Sequence, residues 1–169
     1  MPNNKDKRNY SRTTRALHWL VAMLFTITLA IGISMVRFDI TNDLIVLHVT
    51  FGVMLLCVSV FRLYRYYTNY NATNRQDGLV SSILISVSHN ILLWMTIVIP
   101  ITGIVFISQS MAQNDLMSDS SNLSLYYFSK AHKFLPYISV LLITMHFIGA
   151  LKHEIIDKDS SLSKMFGLK

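Results

Sequence analysis

Residues 129–154 read SKAHKFLPYISVLLITMHFIGALKHE, and no charged side chain falls between Lys133 and Lys152. At 1.5 Å per residue, a charge-free run of about 18 residues is long enough to cross a bilayer as a helix. Yet this run carries His132 at one end, His146 fourteen residues on, and His153 just past it. Fourteen steps of about 100° fall roughly 40° short of four turns, so His132 and His146 share one stripe, about 21 Å apart. Ionisable rings in an apolar helix are costly to bury, which makes them functional candidates by default.

Three further stretches are equally free of Asp, Glu, Lys and Arg: Leu17 to Val36, Leu44 to Phe61 and Leu79 to Ile107. The 169 residues are 52% hydrophobic and 14% charged, a balance that departs from soluble domains toward membrane proteins. The expected fold is an all-α integral membrane four-helix bundle. It forms one domain over 1–169, with helices at about 16–36, 44–66, 79–107 and 131–156. Pro100 and Pro136 each free a carbonyl four residues back and are expected to bend their helices.

The N-terminus pairs basic residues with an apolar run, but about twenty residues with no small-residue cleavage pattern read as a retained helix, not a signal peptide. Lys and Arg in the connections set the orientation. Lys5, Lys7, Arg8, Arg12 and Arg15 precede the first helix, Arg62, Arg65 and Arg75 follow the second, and Lys152, Lys158, Lys164 and Lys169 follow the fourth. The other two connections hold Arg37, Lys130 and Lys133 beside Asp39, Asp43, Asp115 and Asp119. Both termini are therefore expected in the cytoplasm of a multi-pass inner-membrane protein. This placement accounts for the net charge of +6 without nucleic acid.

With that topology His48 and His132 open their helices at one level on the outer side, while His18 and His146 lie at a second level near the inner face. Opposed histidines on different helices suit the axial positions of a planar macrocycle in a bundle core. A zinc or copper cluster is disfavoured, because such metals draw three or four ligands to one point. The single cysteine, Cys57, excludes the C-x-x-C-H attachment of a covalent haem. His89, on the third helix, competes with His18 for the inner position, and the spacing leaves both open. His153, about two turns beyond His146, is the better proton-handling group. Gly52, Gly149 and Gly32 fit either close helix packing or room for a flat ring. Arg62 follows His48 by fourteen residues, repeating the interval between His132 and His146. It should therefore reach the inner level on the same stripe, placed to fork onto a haem propionate.

The stretches RALHWLVAMLF (15–25), LHVTFGVMLLCVSVFRLYR (47–65), SHNILLWMTIVIPITG (88–103) and AHKFLPYISVLLITMHFIGALKHEIIDKDSSLSKMF (131–166) resemble the bacterial cytochrome b561 family. These are four-helix dihaem cytochromes related to the cytochrome b subunits of nickel hydrogenases. The resemblance implies two b haems, one on His18 and His146 and one on His48 and His132, with His89 and His153 left as non-ligands near a quinone or proton site. Many members carry a second histidine after the one matching His153, where this chain has Glu154.

The family includes a superoxide oxidase that passes electrons to ubiquinone, and this sets the first functional expectation. On that reading the protein is an oxidoreductase joining a periplasmic-side donor to the quinone pool, with Arg37, Lys130 and Lys133 as an anion-steering cluster. The second expectation is an electron-relay or anchor subunit for a separate periplasmic redox enzyme. The segment Ser108 to Ser129, with its LSLYYF, would then be the docking connection. The third is a non-redox transporter with a histidine proton relay.

Overall fold

The computed structural model describes residues 11–38, 41–68, 79–116, 123–156 and 161–166. Among them are four long helices, α1 (Arg12–Arg37), α2 (Asn42–Thr68), α3 (Leu79–Leu116) and α4 (Leu123–Ile155), and a short α5 (Ser161–Phe166). Each long helix contains a span apolar enough to cross a membrane. The described residues contain no strand. Ser11 caps α1 by accepting a hydrogen bond from the Thr14 amide, so the first helix starts where the basic tail meets the apolar run.

Neighbouring helices run antiparallel, and the closest packing is α3 on α4 and α1 on α2, with α2 on α3 joining the pairs. The close of α1 and α3 and the start of α2 and α4 lie at one end, here called the hairpin end. The tail end holds the start of α1 and α3 and the close of α2 and α4. Helix α4 comes near α1 and α2 at few points, although its histidines face partners on those helices.

A layer at mid-depth holds the bundle together. Val21, Leu24 and Phe25 from α1, Leu55 from α2 and Ile99 from α3 form the buried cluster, with Met95 and Leu135 packed on it. Phe25 is seven residues from His18 and Leu55 seven from His48, so the cluster divides the two histidine levels. Most other large apolar side chains are exposed, among them Met23, Val46, Phe147 and Ile148, as expected where lipid is the solvent. Several hydroxyls in the spans bond the carbonyl three or four residues back, as Thr28 does to Leu24 and Ser139 to Leu135. This satisfies them where no water is at hand.

Three features depart from the expected layout. First, α3 continues to Leu116 and α4 begins at Leu123, eight residues before 131. Most of Ser108–Ser129 is therefore helical, and LSLYYF forms the opening turns of α4 instead of a docking loop. Polar residues in those turns hid a helix that extends past its apolar run. Second, α3 and α4 each contain their proline, Pro100 and Pro136, within one continuous helix, so neither proline ends its span. Third, α5 folds back on α4 and α1. Phe166 packs on Trp19 at 4.9 Å between ring centroids, and the Ser163 hydroxyl bonds the Glu154 carboxylate. Lys5, Lys7, Arg8, Asp39, Arg75, Asp119, Lys158 and Lys169 lie outside the described residues, as do the side chains of Asp115, Lys164 and His153.

Candidate functional site

At the hairpin end, the His48 and His132 rings face each other across the bundle with centroids 5.9 Å apart and planes at 87°. Each ring is fixed by a carbonyl of a neighbouring helix. The His48 Nδ1–H donates to Thr28 O at 3.1 Å, and the His132 Nδ1–H donates to Ile99 O at 3.0 Å. The buried Thr102 hydroxyl donates to the same Ile99 oxygen at 2.7 Å and lies 3.3 Å from His132 Nδ1. With its proton held at Nδ1, each imidazole keeps the Nε2 lone pair for a metal, which is how second-shell carbonyls prepare histidine ligands.

Two glycines admit these rings. A Cβ on Gly103 would stand 2.7 Å from His132 Cε1, and one on Gly32 would stand 3.1 Å from His48 Cε1. Gly32 was legible as a small residue near the site. Gly103, Thr102 and the two carbonyls were not, because such contacts join helices far apart in sequence.

The tail end is built differently. His18, His89, His146 and Arg62 converge there from all four helices, and His18 is within electrostatic reach of the other three. The His89 and His146 rings touch edge to face at 4.5 Å. Arg62 Nη2–H donates to His18 Nδ1 at 3.2 Å, so Arg62 stands at the level to which fourteen residues of helix carry it from His48. One turn before Arg62, Ser59 is 0% exposed and its Oγ has no hydrogen-bond partner. Gly52 and Gly149 face open space.

The remaining candidates are scattered. Arg37, Lys130 and Lys133 are all exposed, and Lys130 lies over the Tyr126 ring at 5.6 Å. His153 lies in the last turns of α4.

These residues fit a haem group. No set of three or more His, Cys, Asp or Glu among the described residues is placed to hold a lone metal ion, so a two-histidine site suits an iron whose other ligands come from a porphyrin. Two axial bonds of about 2 Å place imidazole centroids about 6 Å apart, which the hairpin-end separation matches. The orphaned Ser59 hydroxyl beside the Arg62 guanidinium offers donors to a carboxylate.

An apolar four-helix bundle with inward imidazoles whose Nε2 atoms are left for a metal is the arrangement of a membrane-embedded b-type cytochrome. The chain belongs to the prokaryotic cytochrome b561 family, whose model matches residues 9–168. It is thus a multi-pass inner-membrane protein that binds haem b and takes part in electron transfer. No curated protein and no solved structure matches it.

Proposed function

We propose that the chain holds two b haems and carries electrons across the membrane from a small periplasmic donor, superoxide, to ubiquinone. His48 and His132 ligate at the hairpin end, which faces the periplasm, and His18 and His146 ligate at the tail end. The observation that carries this reading is the matched pair of Nδ1–H bonds to Thr28 and Ile99, which leaves two Nε2 atoms across a 5.9 Å ring separation.

At the tail end, the 4.5 Å contact of His89 with His146 is too short to admit an iron between them, which favours His18 as the partner of His146. His18 can present Nε2 to a metal when its proton sits on Nδ1. Arg62 must then donate elsewhere, and a propionate carboxylate is the acceptor its fork geometry suits.

Haem b supplies a one-electron couple. Two superoxide anions each give up one electron and leave as dioxygen, and ubiquinone takes two electrons and two protons to become ubiquinol. Arg37, Lys130 and Lys133 raise the local concentration of the anionic donor. On this reading His89 and His153 handle the protons.

A reduced-minus-oxidised visible spectrum with haem quantification tests the cofactor, and the expected content is two non-covalent haems per chain. Stopped-flow mixing with superoxide, then ubiquinone, tests the route. The reduction rate should fall as salt rises, and neutralising the three cations together should abolish that dependence. An unchanged salt dependence would remove the steering argument. A second reading has its own observation: Leu123, Tyr126 and Tyr127 are exposed at the hairpin end of α4, where a periplasmic redox protein would dock. Reduction by such a protein but never by superoxide would select that reading.

A further inference from the structure

A groove runs along α3, lined by Val87, Asn90, Ile91, Trp94, Met95 and Val98 and closed on one flank by Leu135 of α4. It encloses about 280 Å³. The α3 positions run from Val87 to Val98, eleven steps or about 16 Å of helix, so the groove is long, narrow and parallel to the helix axis. Met95 and Leu135, which pack on the buried cluster, form its floor. Val87, Ile91, Trp94 and Val98 are exposed along its rim, so it opens toward lipid.

One lining residue is out of keeping with the rest. Asn90, one turn inside the tail-end limit that Val87 forms, has a buried Oδ1 with no hydrogen-bond partner. A carboxamide in an apolar wall carries an uncompensated desolvation cost unless something bonds it. A half-turn of the amide about its terminal bond exchanges the positions of Oδ1 and Nδ2.

We propose that this groove binds the isoprenoid quinone, with the headgroup at Asn90 and the tail lying toward Val98. The proposal rests on the quinone-linked reading above and adds the place of binding. Three properties select this occupant. The groove is reached from the bilayer, where quinones reside. Its shape is a strip of hydrocarbon with one polar end. The carboxamide complements both redox forms, since Nδ2–H donates to a quinone carbonyl and Oδ1 accepts from a quinol hydroxyl. A phospholipid acyl chain would fill the strip but leave the amide unanswered. Asn90 follows His89 in the chain, so the polar end lies at the depth of the tail-end histidines. It sits on another face of α3, within about one helix diameter of 10–12 Å.

The test uses the haem-loaded protein in lipid nanodiscs, a photoreactive ubiquinone analogue, and mass-spectrometric mapping with and without excess short-chain ubiquinone. Competed labelling should fall on residues 87–98 and Leu135. It should weaken roughly tenfold in Asn90→Leu, with the haem spectrum unchanged and the apparent KM for quinone raised by a similar factor. Leu135→Trp, which fills the groove while keeping Asn90, should also lose the label. Competed label confined to the end of α4 around His153 would overturn the proposal. So would uncompeted label spread over the lipid-facing helices, or an Asn90→Leu variant with unaltered labelling and KM. Competed labelling in the groove of a protein whose haems quinone never reoxidises would uphold the site and remove the electron-transfer reading instead.

Discussion

The two ends of the bundle hold their histidines in opposite ways. At the hairpin end the imidazoles bond backbone carbonyls, Thr28 O for His48 and Ile99 O for His132, and glycines lie against both rings. At the tail end the contacts are between side chains: Arg62 with His18, and His89 with His146. Backbone carbonyls within helices cannot move without unwinding a turn, whereas guanidinium and imidazole groups can exchange partners. The hairpin end is thus preorganised by the fold. The tail end can adapt to the group it binds and to protons and charges that move nearby.

The largest test of that contrast is ligand removal. His48→Ala and His132→Ala should each reduce haem content from two to one per chain, as should His146→Ala, with separate spectral components lost at the two ends. His18→Ala should match His146→Ala, and His89→Ala should retain both haems. Full haem content in His18→Ala with loss in His89→Ala would reassign the tail-end pair.

Next in size is Gly103→Ala. Its Cβ would meet the His132 ring at 2.7 Å, and the ring is pinned by Ile99, so the strain should cost on the order of 1–3 kcal/mol and expel the hairpin-end haem. Gly32→Ala, at 3.1 Å from His48, should act in the same direction more weakly. Gly149→Ala meets no atom within 4 Å in the protein, so any loss it causes would report a ring lying against that helix face. Equal tolerance of Gly103→Ala and Gly149→Ala would end the claim that the hairpin end is the rigid one.

A smaller effect is expected from Arg62→Gln. Removing a cation beside an iron favours the ferric form, so the tail-end potential should fall by roughly 60 mV, the equivalent of about 1.4 kcal/mol for one electron. Arg65→Gln should leave it unchanged. A redox titration in which both variants behave alike would reduce Arg62 to a topology signal. The smallest shift belongs to Thr102→Val. Without the threonine's donation, Ile99 O accepts more strongly from His132 and the imidazole becomes more basic. The hairpin-end potential should drop by about 20 mV while the tail-end value holds.

The four spans and both histidine levels were legible because charge is nearly forbidden in lipid and because fourteen residues close almost four turns of helix. The same arithmetic put Arg62 at the level of His18. The early start of α4 was hidden because Ser124, Tyr126 and Tyr127 blur the edge of the apolar run. Helix α5 was hidden because six residues carry too little pattern and depend on the Trp19–Phe166 contact. Nothing local marks Thr28, Ile99, Thr102 or Gly103 as neighbours of histidines on other helices. Asn90 was visible as a letter, but its importance comes from the groove around it and from the lack of a partner on Oδ1.

The fourteen-residue interval on α4 also has an electrical meaning. Its length of about 21 Å spans roughly 0.7 of a hydrocarbon layer of about 30 Å, so an electron passing between the two levels crosses that share of the transmembrane field. At about 2.3 kcal/mol per charge per 100 mV, the displacement amounts to about 1.6 kcal/mol for every 100 mV of membrane voltage. In the proposed orientation the cell interior is negative, so the electron moves inward against the electrical force on it. A cation such as Arg62 at the tail end raises the acceptor's potential in the sense that offsets this opposing voltage. On the proposed electron path the bundle would work as a voltage-loaded conductor, whose forward rate should rise when the membrane is depolarised.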